Sequence, residues 1–196
     1  MSRISKIPVE QWDPALVEIT QGDSATVIEQ GITRMLAHCP EMGQGAIGFG
    51  AAIAMNRTLP ERLIELVRLR VAFHNQCRSC MAIRYSSAAQ DLSEDLVCSL
   101  EKPQEAQDLT AAERAALDFA DRFATDHLSI TDQRFAALRE HFNEAQTMEL
   151  MLHLALYVGM GRLAATLDMT EELPASFQAE FGSTVTPWGG EPISVR

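Results

Sequence analysis

The chain has 196 residues, 46% of them hydrophobic, which is enough for one compact core. Its 27 acidic and 16 basic side chains give a formal net charge of −11, which would repel a phosphate backbone, so we expect no nucleic acid partner. Residues 1–13 lack the apolar core of a signal peptide, and the most apolar later stretches, 46–55 and 150–160, are about half as long as a membrane span. We therefore expect a cytoplasmic protein with no membrane partner.

The hydrophobic pattern predicts helices along almost the whole chain. The sequence GQGAIG at 43–48 matches the glycine spacing of dinucleotide sites. No predicted strand precedes it, so it indicates a closely packed helix rather than a cofactor site. A capping box formed by Thr58 and Glu61 predicts the start of the next helix, which carries the apolar run 63–73.

A second part of this helical pattern runs from Cys77 to Gln90, after an interruption at 74–76. Later helix starts are predicted at capping residues that precede apolar residues at three- and four-residue spacing: Ser93, Thr110, Thr131 and Asn143. The segment 148–167 is apolar on most sides, so it must be buried within the monomer or between subunits.

The fold predicted from these elements is all-α, because strand-like alternation is short and scarce. We expect a single domain over 1–196, with a core at about 35–168 and an extended tail at about 172–196. Prolines and glycines in the tail predict that it leaves the helical bundle. Trp188 in such a tail is expected to anchor onto another surface.

One Cys-x-x-Cys pair, Cys77 and Cys80, lies at the predicted start of a core helix. A helix N-terminus favours the thiolate, and Arg84, one predicted turn after Cys80, would add a positive charge. The pair therefore predicts a redox-active dithiol. Cys39 and Cys98 stand alone in helical surroundings, which is typical of buried, inert structural thiols.

Glu65 lies twelve residues before Cys77 and shares a helix face with the apolar Leu69. A carboxylate in such a stripe suits proton transfer. The alternative is a solvated ladder in which Glu65 pairs with Arg62 and Arg68 at three-residue spacing.

Zinc is a competing interpretation, because His74 precedes the thiols as His-x-x-Cys-x-x-Cys. No second Cys/His pair with ligand spacing follows, so we predict no metal site. His153, inside an apolar helix, is typical of a hydrogen-bonded core histidine.

The glutamate, the twelve-residue step to Cys77-Arg-Ser-Cys80 and the downstream LTAAERAALDFA at 109–120 together resemble the carboxymuconolactone decarboxylase and alkyl hydroperoxidase D-like (AhpD-like) superfamily, in its peroxidase-related branch. The resemblance spans roughly residues 35–168. It implies an all-α bundle that forms trimers or hexamers and needs no cofactor.

Carried over from this resemblance, Glu65 matches the relay glutamate, Cys80 the peroxide-attacking cysteine and Cys77 the resolving cysteine. The relay histidine of the family falls at Arg84, which cannot accept a proton at working pH. Glu65 could act through water instead. Otherwise Tyr85, His74 or His153 would take its place.

The expected function is a thiol-dependent peroxidase of the alkylhydroperoxidase type, an antioxidant oxidoreductase with peroxiredoxin activity. A small hydroperoxide would be its substrate, and an unidentified thiol/disulfide reductant would restore the dithiol of Cys77 and Cys80. Two alternatives stay open: a lactone decarboxylase or isomerase that uses Glu65, and a non-catalytic redox sensor.

Overall fold

The computed structural model describes residues 2–88, 91–180, 182–188 and 190–196. Its α-helices, in chain order, are α1 (Pro14–Thr20), α2 (Val27–Gln30), α3 (Thr33–Leu36), α4 (Pro40–Met55), α5 (Glu61–Asn75), α6 (Arg78–Ala82), α7 (Glu94–Ser99), α8 (Ala111–Thr125), α9 (Asp132–Arg139) and α10 (Glu144–Leu167). Short strands β1 (Ile83–Tyr85) and β2 (Ile193–Val195) form a parallel pair. The predicted helical fold is confirmed, with this small pair added.

Helix α5 forms the centre of the molecule, packed between α8 and α10. Its side chains Leu66, Val67, Leu69 and Val71 are fully buried. Glu65, Arg68 and Ala72 are buried on the remaining side, so α5 is surrounded by other elements and its buried polar groups must find partners inside the protein.

The predicted helix starts after residue 90 are confirmed, because their caps depend on neighbouring residues alone. Ser93 and Thr131 each accept a backbone hydrogen bond from the first turn of their helix, and Thr110 and Asn143 form complete capping boxes. The glycine-rich segment 43–48 lies inside α4, as predicted.

The predicted capping box at Thr58 is wrong. Helix α5 begins at Glu61 with Pro60 as its N-cap. The hydroxyl and amide of Thr58 donate instead to the carboxylate of Glu149 on α10, which also accepts from the amide of Leu59. A distant carboxylate thus fixes the start of α5, and no local pattern could reveal it.

The C-terminal tail folds back onto the bundle, contrary to the expectation that it leaves it. Phe177 is fully buried, and β2 pairs in parallel with β1, which directly follows α6. Trp188 packs on Phe73 of its own chain, with ring centroids 4.9 Å apart. Trp188 therefore anchors on a surface of its own chain. This contact gives no support to an oligomer.

Helix α10 is buried on one side only. Leu150 and Leu154 are fully buried against the core, whereas Met148, Leu152 and Leu163 are exposed. The helix is long and apolar enough to cross a membrane by length and composition, a criterion that core helices of soluble proteins also meet.

Candidate active site

The chain reverses between α5 and α6 at Gln76, which adopts the left-handed backbone conformation (φ 50°). Its side-chain amide donates to the carbonyl of Phe73, and its side-chain oxygen accepts from the amide of Val185 in the tail. These bonds hold a sharp reversal and place Cys77 at the N-cap of α6.

Cys77 and Cys80 form a disulfide, with their Cα atoms 5.2 Å apart. Cys77 is fully buried, whereas Cys80 is half-buried and lines a cavity of about 370 Å³. Only the sulfur of Cys80 is therefore placed to meet a molecule in this cavity, among the residues that the structure describes.

The predicted long helix from Cys77 to Gln90 is wrong, since α6 ends at Ala82 and the chain continues as β1. Strand pairing with the tail overrides the local helical pattern. The five residues of α6 also align few peptide dipoles, so the stabilisation of a thiolate expected from a long helix is reduced.

Arg84 therefore does not lie one helical turn beyond Cys80. Its guanidinium pairs with Glu94 (Nε to Oε1, 2.9 Å) and donates to the carbonyls of Met81 and Pro187. These contacts join β1 to α7 and to the tail, and Arg84 is not among the described residues that line the cavity.

Glu65 and Arg68 form a buried ion pair at the base of the site. They are 4% and 6% exposed, and Nε and Nη2 of Arg68 each lie 2.6 Å from a different carboxylate oxygen of Glu65. The solvated ladder is therefore wrong for this pair. Burial alone would lower the pKa of Arg68, but the charge and hydrogen bonds of Glu65 outweigh it and raise that pKa, so the guanidinium stays charged.

Arg68 is a site residue whose functional role sequence reasoning missed. It donates to the carbonyls of Cys80 (2.7 Å) and Ile83 (3.0 Å), and its guanidinium lies 5.1 Å from the ring centre of Tyr85. It lines the cavity and fixes the backbone on which Cys80 is carried. Its three-residue spacing from Glu65 was the available signal.

Glu65 itself is placed to hold Arg68 rather than to meet a substrate. Both of its oxygens accept from Arg68, and it is not among the described residues that line the cavity. Its expected role as a proton relay therefore has no direct contact with a sulfur atom to support it.

The cavity walls come from distant parts of the chain and are mostly apolar. They include residues 28–34, Ala72 of α5, Met160 of α10 and Leu173 of the tail. Gly161 of α10 also lines the cavity. A β-carbon at this position would lie 2.4 Å from the side-chain nitrogen of Asn75, so a larger residue would not fit there. That nitrogen donates to the carbonyl of Tyr157, which ties the end of α5 to α10.

Of the three residues that were expected to replace the relay histidine, two lie near the cavity. Tyr85 lines it directly. His153 is buried, as predicted for a core histidine, and its Nδ1 lies 3.1 Å from the hydroxyl of Tyr157, which lines the cavity.

His74 lies elsewhere. Its Nε2 is 2.7 Å from Asp121 of α8, which also pairs with Arg70. The structure therefore separates His74 from the dithiol. In the described part of the chain, no group of three or more His, Cys, Asp or Glu residues is arranged to hold a metal ion.

Comparison with known proteins gives matches by structure. No family model matches the sequence, and no curated protein does so either. The alkylhydroperoxidase AhpD core of an uncharacterized peroxidase-related protein from Ralstonia eutropha JMP134 matches with a TM-score of 0.70 at 20% identity, over 90% of this chain and 94% of that one. The debrominase Bmp8 matches with a TM-score of 0.71 at 16% identity, over 91% of this chain and 95% of that one.

A cysteine-to-alanine variant of that debrominase, in complex with 2,3,4-tribromopyrrole, matches with a TM-score of 0.70 at 17% identity, over 91% of this chain and 96% of that one. Likeness at such identities concerns the fold and not the activity. The chain therefore shares its fold with the AhpD core structure, in agreement with the fold that the sequence resemblance implied.

Proposed function

We propose that the protein is a thiol peroxidase that reduces small hydroperoxides through a dithiol–disulfide cycle of Cys80 and Cys77. The observation that carries the proposal is the unequal exposure of the two bonded cysteines: Cys80 lines the cavity and Cys77 is buried behind it. An attacking thiolate must meet its substrate, whereas a resolving thiol needs only to reach the attacking sulfur.

The proposed reaction proceeds in three steps. The Cys80 thiolate attacks the terminal oxygen of ROOH, the O–O bond breaks, and RO⁻ leaves and takes up the proton that the thiol lost. The resulting sulfenic acid is captured by the Cys77 thiol, which forms the disulfide and releases water. A separate dithiol reductant then reduces the disulfide and is itself oxidised.

The surroundings of Cys80 support this role. Arg68 keeps a permanent positive charge at the cavity wall and holds the backbone of Cys80 by its carbonyl. Because the carboxylate of Glu65 compensates that charge, Arg68 supports the role by fixing the position of Cys80 at the cavity.

Consumption of tert-butyl hydroperoxide with dithiothreitol as reductant tests the proposal. We expect turnover in the parent protein and its loss in Cys80→Ser, whereas Cys77→Ser should form no intramolecular disulfide and turn over only as fast as dithiothreitol reduces the Cys80 sulfenic acid directly. Cys39 and Cys98 are both exposed, so the prediction that these lone cysteines are buried is wrong. Cys98→Ser is the matched control and should retain turnover, because Cys98 lies outside the site. Turnover that survives Cys80→Ser would refute the proposal.

Mass spectrometry after one equivalent of hydroperoxide separates the chemical steps. In Cys77→Ser we expect a sulfenic acid on Cys80, trapped by dimedone, whereas the parent should yield the disulfide. A sensor without catalysis would give the same adducts but no sustained consumption of peroxide.

A second candidate, reductive debromination, uses the same dithiol, and the likeness to a debrominase favours including it. The balanced reaction converts ArBr and two thiols into ArH, HBr and the Cys77–Cys80 disulfide. Release of bromide from 2,3,4-tribromopyrrole by the reduced protein, without consumption of hydroperoxide, would select this candidate. The lactone decarboxylase alternative has less support, because both oxygens of Glu65 are bound by Arg68.

The protein is further proposed to act in the cytoplasm as a homo-oligomer, a trimer or hexamer, without nucleic acid or membrane partners. Exposed methionines on α4 and α10 support assembly: Met42, Met55 and Met148 are 78%, 82% and 55% exposed. Light scattering should give a multiple of the monomer mass that Met148→Glu reduces. The control is Leu128→Glu, an equally apolar exposed residue outside these helices, and a monomeric parent at micromolar concentration would refute assembly.

A further inference from the structure

We infer that Tyr157 and His153 form the proton relay of Cys80, an inference that depends on the proposed peroxidase function. The two side chains lie one turn apart on α10, and the Tyr157 hydroxyl is 3.1 Å from Nδ1 of His153. Tyr157 and Cys80 line the same cavity, so Tyr157 links the buried imidazole to the side of the site that Cys80 occupies.

The second nitrogen of His153 completes the arrangement. Its Nε2 is buried without a hydrogen-bond partner in the described part of the chain, and it lies 4.0 Å from Oε1 of Glu149. A buried polar atom without a partner carries a cost that a purely structural histidine would avoid. A small closing movement would turn this contact into a charge-assisted hydrogen bond when the ring gains a proton.

The resting protonation states suit a relay. Burial lowers the pKa of His153, although the charge of Glu149 partly opposes this, so the ring is neutral and can accept a proton. Burial raises the pKa of Tyr157 well above its usual value, so the hydroxyl keeps its proton. With Nδ1 accepting from that hydroxyl, the ring proton lies on Nε2 and faces Glu149.

The charges around the pair come from several elements. Glu149 lies on the same helix, and its carboxylate is kept ionised because hydrogen bonds from Thr58 and Leu59 lower its pKa more than burial raises it. Arg57 acts on His153 from the segment before α5 and opposes protonation of the ring. The pKa of Tyr157 is affected by the charges of four neighbouring side chains: Arg68, Glu65, Tyr85 and Arg57.

The relay moves one proton out and back. The thiol proton of Cys80 passes to the oxygen of Tyr157, directly or through a water in the cavity, while the hydroxyl proton moves to Nδ1 of His153. After the thiolate attacks ROOH, the same path returns the proton to RO⁻. The net reaction is Cys80–SH plus ROOH giving Cys80–SOH plus ROH, and the relay is restored.

Single-turnover oxidation of the reduced protein by tert-butyl hydroperoxide, followed from pH 5 to 9, tests the relay. We expect Tyr157→Phe and His153→Gln each to slow oxidation of Cys80 by about a hundredfold, and the double variant to be no slower than the worse single one. His141→Gln, at an exposed histidine, is the matched control and should react like the parent. Rates within about twofold of the parent in both single variants would overturn the relay.

A second measurement separates failure of the relay from failure of the function. In a Cys77→Ser background, alkylation of Cys80 by iodoacetamide reports the thiol pKa without any peroxide, and Tyr157→Phe should raise it by about one unit. If the parent ignores hydroperoxide but this shift occurs, the relay stands and the peroxidase proposal fails. If the parent reacts with hydroperoxide and Tyr157→Phe changes neither the Cys80 thiol pKa nor the oxidation rate, the relay is refuted while the peroxidase proposal stands. Tyr157→Phe removes one hydroxyl and decides the question even if His153→Gln does not fold.

Discussion

Two arginines of helix α5 each pair with a carboxylate, and the two pairs differ in how far water can reach them. Glu65 and Arg68 are almost fully buried, and Arg68 also holds the backbone of Cys80. Arg70 pairs with Asp121 at the partly exposed surface of α8, where His74 joins them. A pair that water cannot reach fixes its geometry and its charges, whereas a partly solvated pair exchanges its partners for water at small cost. Burial, and not residue type, makes the first pair part of the site.

The largest expected effect is that of Glu65→Gln. It leaves the buried charge of Arg68 without its carboxylate, so the free energy of unfolding should fall by about 3–5 kcal/mol. Urea denaturation at pH 7 measures this loss. The double variant Glu65→Leu/Arg68→Met should recover much of the stability, because it removes both charges. A loss below about 1 kcal/mol in Glu65→Gln would mean that the pair is solvated, and the contrast between the two pairs would disappear.

Arg84 provides an intermediate case, since its guanidinium is buried while its partner Glu94 is largely exposed. Arg84→Ala removes hydrogen bonds to Met81 and Pro187 and should lower the free energy of unfolding by about 2 kcal/mol. Alkylation of Cys80 as a function of pH should be unchanged, because Arg84 is engaged away from the cavity. A raised thiol pKa in this variant would instead restore Arg84 to the active site, as its position in the sequence suggested.

The smallest effect is expected at the partly exposed cluster of Arg70, Asp121 and His74. Asp121→Asn should lower the free energy of unfolding by about 1 kcal/mol at pH 7. Although burial opposes it, hydrogen bonds from His74 and Arg70 lower the pKa of Asp121 below its unfolded value of about 3.9. Its stabilisation is therefore complete above that unfolded pKa and is lost as the pH falls through the lower, folded pKa.

Denaturation of the parent and Asp121→Asn at pH 7 and at about pH 3 checks the sign. The difference between them should shrink at the lower pH. A difference that grows on acidification would show that the Asp121 carboxylate is not stabilised in its charged form.

The residues proposed for the chemistry could be predicted only in part. The Cys77–Cys80 spacing and the step back to Glu65 identified the dithiol and the carboxylate, because these signals are local. Tyr157 was not found, since nothing in its sequence neighbourhood shows that it lines the same cavity as Cys80. The role of Arg84 was drawn from an assumed helix that the tail replaces by a strand.

Local sequence determined the helical class and the later helix starts, because a cap such as that of Thr110 or Asn143 needs only residues three positions away. Tertiary structure decided which charges are buried, where the helix after Cys77 ends and which side chains face the cavity. Each of these depends on contacts between residues far apart in the chain, such as β1 with β2 and Thr58 with Glu149. Burial and non-local pairing change the energies of the same residues by more than local propensity does.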